Sequence, residues 1–315
     1  MKKFFVFLAL IIIAIFAIVG SVSAALPGTG WWTSFKIQNV GSNPGIVSMT
    51  AYDAYSSNTY SSDQFQVEPF NALEYNPGKL VNYPTGNVIG FDPALPSGFE
   101  GSVVLSGSQP LAAFAEVGNY QNGSTGVSLG TASAQYQAMG ADITDTELRV
   151  PVVKHNYQDQ TTSIYVQAAG SEANVTITYK MNDSETSIYT QNVVIPANKM
   201  FLFDPANASV PSTDCGNVVN TSPCFGAATI VSTTGEIAAS YVEHPHVGSP
   251  APLALSTRAQ TTSDQSTVLF GASVKHSYTT GQGTGITGDT IMNVGTADAL
   301  VQIDLIVTKL GNNAS

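Results

Sequence analysis

The sequence predicts an all-β fold in which antiparallel β-sandwiches follow one another along the chain. Three observations lead to this prediction. One set of strand and turn landmarks recurs at a spacing of about 120 to 130 residues, roughly the size of one sandwich. The strands alternate apolar and polar residues, as half-buried antiparallel strands do. Beyond the N-terminal run, no segment shows a sustained helical period with capping residues.

The N-terminus has the three-part layout of a secretory signal peptide. Lys2 and Lys3 precede an apolar run from Phe4 to Gly20, and small residues follow at Val22–Ala24. A retained anchor is the alternative, but the run is shorter than the roughly 20 residues that span a bilayer. We therefore predict a signal-peptide helix, cleavage after Ala24, no membrane span afterwards, and an extracellular or cell-surface location.

The charge balance excludes nucleic acid as a partner. Removing residues 1–24 takes two of the 11 basic residues and none of the 22 acidic ones, which leaves 9 against 22 and a net charge of −13. Such a chain repels nucleic acid and anionic lipid, whose binding depends on Lys and Arg contacts with phosphate. Charged residues make up only 10% of the chain and hydrophobic residues 43%, so we expect a folded protein with a neutral polar surface.

The first repeated landmark is a short strand that ends at a glycine followed by a hydroxyl residue. It occurs at Ser34–Ser42, at Ser163–Ser171 and, more weakly, at Asp289–Thr296. A second strand follows each of them, at Ile46–Tyr52, Val175–Tyr179 and Val301–Leu305. The connections differ by about one residue, as hairpin loops do, so we expect a hairpin in each copy.

Further landmarks recur downstream. Phe91–Ala94 matches Phe203–Ala206, and a pair of strands joined by a short polar turn follows each of them, at Gly101–Ser106 with Leu111–Ala113 and at Gly226–Val231 with Ile237–Ala239. A lead-in strand is shared by Val150–Tyr157 and Leu269–Tyr278, which both contain Val-Lys-His-x-Tyr.

These landmarks divide the chain into four parts. They are a signal peptide at 1–24, a first sandwich at 25–145, a second at 146–257 and an incomplete third repeat at 258–315. The third repeat holds only its first strands, which cannot close a sandwich alone. We expect it to be completed by a continuation of the chain, which the stop directly after a strand favours, or by a strand from another chain.

The succession of strand, Gly-Ser turn and strand, then Phe91–Ala94, Leu95–Leu105 and Gln109–Ala113, resembles the immunoglobulin-like repeats of secreted and cell-surface prokaryotic proteins. The resemblance covers most of the mature chain, although its motifs are structural and carry little functional specificity. It implies tandem immunoglobulin-like sandwiches with an adhesive or envelope role, and it brings no catalytic residue. The second copy departs from it where a longer loop holds the two cysteines.

Cys215 and Cys224 are predicted to form a disulfide that closes this loop, because exported chains meet oxidising conditions. The short loop limits the gain to about 2 kcal/mol. A two-cysteine metal site is the alternative, but no nearby histidine completes the ligand set.

Catalytic motifs are lacking, so we predict a non-enzymatic protein. His155 and His276 recur with the lead-in strand, which favours a structural role, and His244 with His246 offers only two ligands to a metal. No Gly-x-Ser-x-Gly elbow occurs.

We predict no cofactor. Isolated aspartates would suit calcium best among metals, but the sequence has no Asp-x-Asp-x-Asp loop. Asp92 and Asp204 both precede proline, where an Asx-type turn explains them.

Trp31 and Trp32 are candidate surface contacts, which would stack on sugars or dock a neighbouring subunit if exposed. The alternative, favoured for large aromatic residues, is burial in the core of the first sandwich. The sequence thus predicts an exported structural or adhesive surface protein that binds other surface proteins or itself. A carbohydrate-binding module that takes glycans is the second hypothesis.

Overall fold

The computed structural model describes residues 31–75, 89–119, 132–181, 187–211, 224–246, 255–269, 278–280, 283–285 and 291–303. The predicted signal-peptide helix at 1–24 lies outside these residues. Every strand pair among them is antiparallel, and the regular structure is strand apart from two short 3-10 helices, which confirms the all-β prediction. The chain divides into two compact units, residues 1–264 and 265–315.

The first unit contains seventeen described strands. They are β1 (Trp31–Asn39), β2 (Gly45–Asp53), β3 (Thr59–Ser62), β4 (Phe65–Val67), β5 (Ala72–Tyr75), β6 (Phe91–Asp92), β7 (Gly101–Gly107), β8 (Leu111–Asn119), β9 (Ala132–Gln137), β10 (Glu147–Tyr157), β11 (Gln160–Ala168), β12 (Ala173–Met181), β13 (Ile188–Ile195), β14 (Met200–Phe203), β15 (Phe225–Ser232), β16 (Ile237–Pro245) and β17 (Leu255–Arg258). A 3-10 helix at Pro205–Ala208 follows β14, and another at Thr262–Asp264 ends the unit.

The strands before residue 140 form two sheets around one core. Sheet I has the order β5-β1-β8-β9. In sheet II, β2 pairs with β7 along one edge and with β4 and then β3 along the other, and β6 pairs with β3. The core takes Ile37, Leu73 and Ala113 from sheet I and Val47 and Met49 from sheet II, all under 8% exposed. The two sheets therefore face each other as a β-sandwich-like pair.

The remaining strands of the unit form sheet III, with the order β13-β12-β15-β10-β11-β16-β17 and β14 on the edge of β11. Strand β10 joins its two halves, because its first part pairs with β15 and its last residues pair with β11. Side chains from both halves, such as Ile177 and Ile230 on one and Ile164 and Val166 on the other, share one fully buried core. The halves therefore pack face to face, and burying such aliphatic side chains contributes roughly 1.5 to 3 kcal/mol each.

The strand pairing of sheets I and II recurs in sheet III. Strand β1 pairs with β8 as β11 pairs with β16, and β2 pairs with β7 as β12 pairs with β15. Gly101 lies opposite Asp53, and Gly226 lies opposite Met181 at the corresponding position. The repeated sequence landmarks in these strands thus occupy repeated positions in the structure.

The predicted hairpin between the first two strands is wrong in the first and second copies. Strands β1 and β2 lie in opposite sheets, and β11 and β12 lie in opposite halves of sheet III. The connection therefore crosses from one layer to the other. Asn39 fixes it in the first copy, where its Oδ1 accepts from Gly41 N at 2.9 Å and its Nδ2 donates to Val67 O at 3.0 Å.

The sequence match between Phe91–Ala94 and Phe203–Ala206 does not reflect equivalent strands. Phe91 lies in β6, which pairs with β3 in sheet II, whereas Phe203 ends β14, which pairs with β11. Strand β5 pairs with β1 in the same way as β14 pairs with β11. Tyr75 of β5 therefore holds the place of Phe203. A short motif around a proline is common at the ends of strands in general, so it does not identify which strand ends there.

The second unit has two short described strands, β18 (Tyr278–Thr280) and β19 (Gly283–Gly285), which pair with each other. The strands predicted at Asp289–Thr296 and Val301–Leu305 are wrong for their described parts, because residues 291–303 form no strand. Val301 is 52% and Ile303 is 67% exposed. Alternation alone does not make a strand, because the backbone also needs a partner.

Among the described residues, no helix is long and apolar enough to cross a membrane.

Candidate functional site

Two features of the first unit bring together side chains that are distant in sequence. One is a buried histidine cluster, formed by His155, His244 and His246 with their hydrogen-bond partners. The other is the junction, by which we mean the contacts between strands β1–β9 and strands β10–β17.

The histidine cluster lies where β10, β11 and β16 meet. His155 is 4% and His244 is 2% exposed. The rings of His155 and His246 have their centroids 6.0 Å apart. The β10–β11 turn that brings them together has left-handed backbone at Gln158 and Asp159, the geometry of a two-residue hairpin turn.

His244 forms a hydrogen-bonded chain with a serine. Its Nδ1 lies 2.9 Å from Pro245 O, and its Nε2 lies 2.8 Å from Ser163 Oγ. A carbonyl oxygen only accepts, so we assign the ring hydrogen to Nδ1, and Nε2 accepts the serine hydroxyl hydrogen. A serine and a histidine in this relation resemble a nucleophile and its base. Ser163 is fully buried, however, so the pair presents no reactive oxygen to a substrate, and it acts as a structural link between β11 and β16.

His246 is held by the neighbouring threonine on β11. Thr161 Oγ1 accepts from Asn156 N at 3.3 Å and lies 2.7 Å from His246 Nδ1. The backbone of His246 donates to Asp159 O at 2.6 Å. These bonds tie the hairpin turn to the end of β16.

Burial dominates the electrostatics of the cluster. It lowers the pKa of His244 and of His155 below the ordinary 6.5, because a buried ring loses the hydration that stabilises its charged form. The carboxylate of Asp204 partly opposes this effect on the pKa of His155. An ion pair lies on the same strands, with Lys154 Nζ 2.6 Å from Glu243 Oε2, and both side chains are nearly buried.

Metal binding finds no support in the described part of the chain, where no three His, Cys, Asp or Glu side chains lie close enough to hold an ion. Asp204 caps the 3-10 helix that follows it, with Oδ1 accepting from Ala206 N at 2.8 Å, which confirms the predicted Asx-type turn there.

The polar half of the junction centres on Asn198, which has left-handed backbone. Its carbonyl oxygen accepts from Ser102 Oγ at 2.5 Å and from Gln167 Nε2 at 3.1 Å. Its Oδ1 accepts from Gly170 N at 3.0 Å. The next residue, Lys199, donates from Nζ to Ser56 O. This one turn thus binds both its own copy and sheet II.

The apolar half of the junction is a small cluster between sheet I and sheet III. Ala134 on β9 and Val242 on β16 are buried, and Trp31 and Tyr165 pack against them. Strand β16 is also contacted by the segment that follows β9, where Met139 Sδ accepts from Ala239 N at 3.3 Å. Burial raises the pKa of Tyr165 well above its ordinary value of 10.0. The tyrosine hydroxyl therefore stays protonated at every physiological pH.

Both candidate surface tryptophans are half-buried. Trp31 packs in the junction. Its ring therefore does not lie in the core of the first sandwich, which was the favoured alternative. Trp32 covers Gly118, where an added Cβ would come within 3.0 Å of the indole ring. The sequence did not indicate that the first strand would contact the second copy.

Of the two cysteines, Cys224 is fully buried and Cys215 lies outside the described residues. The disulfide therefore stays a prediction. His276 also lies outside the described residues. Sequence reasoning missed Asn198 altogether, although Pro196 two residues before it was a signal for a tight turn.

Comparison with protein-family models, with curated proteins and with solved structures finds no match for this chain.

Proposed function

We propose that this chain is an exported structural or adhesive protein of the cell surface, a component of an envelope, sheath or filament, built from tandem immunoglobulin-like β-sandwiches. Its export rests on the N-terminal sequence, and its immunoglobulin-like character rests on the resemblance of the strand and turn succession. The proposal is that such a protein acts through its folded surfaces.

The observation that carries the proposal is the junction. Asn198 and Lys199 bond to Ser102 and Ser56, and Trp31 packs with Val242 across the same boundary. Successive repeats are thus attached side to side as well as through the chain, which limits their relative movement. A surface component that must keep its shape benefits from such attachment, whereas a flexible string of domains would not have it.

A carbohydrate-binding module would need exposed aromatic rings as a stacking platform. Trp31 and Trp32, which suggested that function, are half-buried against protein. No observation therefore favours it over a structural role.

Fractionation of the native cells tests the proposal. We expect antibodies against residues 25–315 to detect the protein in the envelope or extracellular fraction, and immunogold microscopy to place it on the cell exterior in continuous layers or fibres. Detection in the cytosolic fraction alone would contradict export. A protein that is released to the medium as a dispersed monomer would contradict a structural role.

A further inference from the structure

Strand β7 corresponds to β15, but the two differ in their neighbours. Both pair with the second strand of their copy in the same register. Strand β15 lies between β12 and β10, because the lead-in strand pairs along its other edge. Among the described residues, β7 pairs with β2 only. We call the edge of β7 that corresponds to the β10 side of β15 the acceptor edge.

The side chains along β7 suit an added strand. Val103 and Leu105 pack against the core of sheets I and II while remaining partly exposed, and Val104 is also half-buried. Their counterparts on β15 include Ile230, which is fully buried with Leu148 of β10 directly opposite. A strand laid on β7 would therefore cover apolar surface as β10 does on β15.

The chain contains a second copy of the β10 sequence at 268–278, which we call the donor segment. Aligned on Val-Lys-His-x-Tyr, Lys154 matches Lys275 and Leu148 matches Leu269. Leu148 is fully buried in sheet III, whereas Leu269 is 64% and Val268 is 60% exposed. Residues 270–277 lie outside the described part of the chain. At its described start, the donor segment thus exposes the apolar side chain that β10 buries.

We propose that the donor segment of a second copy of this chain adds antiparallel to β7, in the register that β10 has on β15. That register places Leu269 opposite Leu105 and Val268 opposite Ser106. Main-chain hydrogen bonds supply affinity in this mode of binding, and the alternating side chains supply specificity.

The consequence is head-to-tail assembly. The donor segment and the acceptor edge are different surfaces, so each copy can give one strand and receive another. Heterologous contacts of this kind extend into filaments unless their rotation closes a ring. Head-to-tail assembly rests on the proposed structural role. A structural role requires contacts between copies, so we assign the donor segment to a second copy of the chain.

Cysteine cross-linking between two single variants tests the register. Glu147 of β10 pairs with Val231 of β15, and the matching positions are Val268 and Ser106. Both are exposed, so neither S106C nor V268C disturbs a core. Opposed residues in a sheet have Cα atoms about 5 Å apart, which suits a disulfide. After mixing and mild oxidation of the mature proteins, we expect several-fold more linked dimer than either variant forms alone.

A matched control uses T190C in place of S106C, because Thr190 is exposed on β13, which pairs only with β12 among the described strands. We expect its mixture with V268C to stay at the background level. A further variant, L269D added to V268C, should reduce linkage to S106C to that background. Equal linkage to both acceptors, or linkage that L269D does not change, would overturn the proposal.

A chain that carries both S106C and V268C separates the two sources of the donor segment. Linkage within one chain at high dilution, without linkage in the mixture of single variants, would overturn assembly through a second copy. If the protein forms surface layers while S106C and V268C fail to link, the strand-addition proposal is wrong and the proposed function still holds. If they link and the protein is cytosolic, the proposed function falls instead.

Discussion

Gly101 and Gly226 hold the same place in two different sheets. A Cβ at Gly101 would lie within 3.0 Å of the carbonyl oxygen of Tyr52, and a Cβ at Gly226 would lie equally close to that of Lys180. In both cases the obstacle is the backbone of the neighbouring strand, which cannot turn aside as a side chain can. The repeated glycine therefore permits close approach of two strands at one point of each copy.

We expect G226A to lower the free energy of unfolding by about 2 to 4 kcal/mol, because the strands must separate locally to admit the methyl group. Chemical denaturation of residues 25–315 measures this loss. G41A is the control, since its methyl group meets the flexible side chain of Gln109 and should cost under about 1 kcal/mol. Equal losses in the two variants would contradict the proposed difference between backbone and side-chain obstacles.

Local chemistry explains which features the sequence could predict. The repeated glycine that the sequence marks as the end of a first strand forms a turn in both units, with Gly41 N donating to Asn39 Oδ1 and Gly295 N donating to Asn293 Oδ1. These bonds close within a few residues, so they need no distant partner. Strand positions along the first unit were predictable for a similar reason, because alternation marks the side that faces a core.

Non-local pairing explains what the sequence could not predict. Val301 and Ile303 alternate as well as the residues of β12 do, yet they form no strand. The layer crossing at Gly41 looked like a hairpin, because the sequence does not state which strand pairs with which. Asn198 and Ser102 are in contact although they are 96 residues apart in the sequence, and no local pattern predicts such a contact.

The buried histidines predict a pH-dependent stability. Burial lowers the pKa of His155 and His244 in the folded state below 6.5, while the unfolded rings keep the ordinary value. Below about pH 6.5 the unfolded chain therefore binds more protons than the folded chain, and stability falls as pH falls. We expect the free energy of unfolding to decrease from pH 7 to pH 5.

Denaturation curves at half-unit pH steps check this expectation, and H244Q should reduce the slope by removing one of the titrating groups. Nuclear magnetic resonance titration of the ring protons gives each pKa directly. A folded-state pKa of His244 at or above 6.5 would contradict the prediction, as would a slope that is the same in the variant.

Asn198 joins the two copies through its side chain as well as its backbone, because its Oδ1 accepts from Gly170 N in its own copy and its Nδ2 donates to the Tyr52 hydroxyl in sheet II at 3.4 Å. N198G keeps the left-handed backbone and removes the amide that bonds to Gly170, so we expect a loss of about 1 kcal/mol. N198A removes the same amide and adds the strain of a β-carbon at positive φ, about 1 kcal/mol more. Differential scanning calorimetry distinguishes the variants. If N198A is as stable as N198G, the backbone at this position is not fixed by its contacts.

The last prediction concerns the end of the first unit, where Arg258 holds Asp264 through two bonds of 2.7 and 2.8 Å. Mainly through this guanidinium, the pKa of Asp264 falls to about 2 from 3.8. A lowered carboxyl pKa stabilises the fold above the unfolded value, and the stabilisation disappears as pH falls towards the folded value. Because both side chains are partly exposed, we expect D264N to cost about 1 to 2 kcal/mol at pH 7 and almost nothing at about pH 2. D63N changes an exposed aspartate and should leave stability unchanged at both pH values. If D264N costs as much at about pH 2 as at pH 7, the side chain stabilises the unit through packing rather than through its charge.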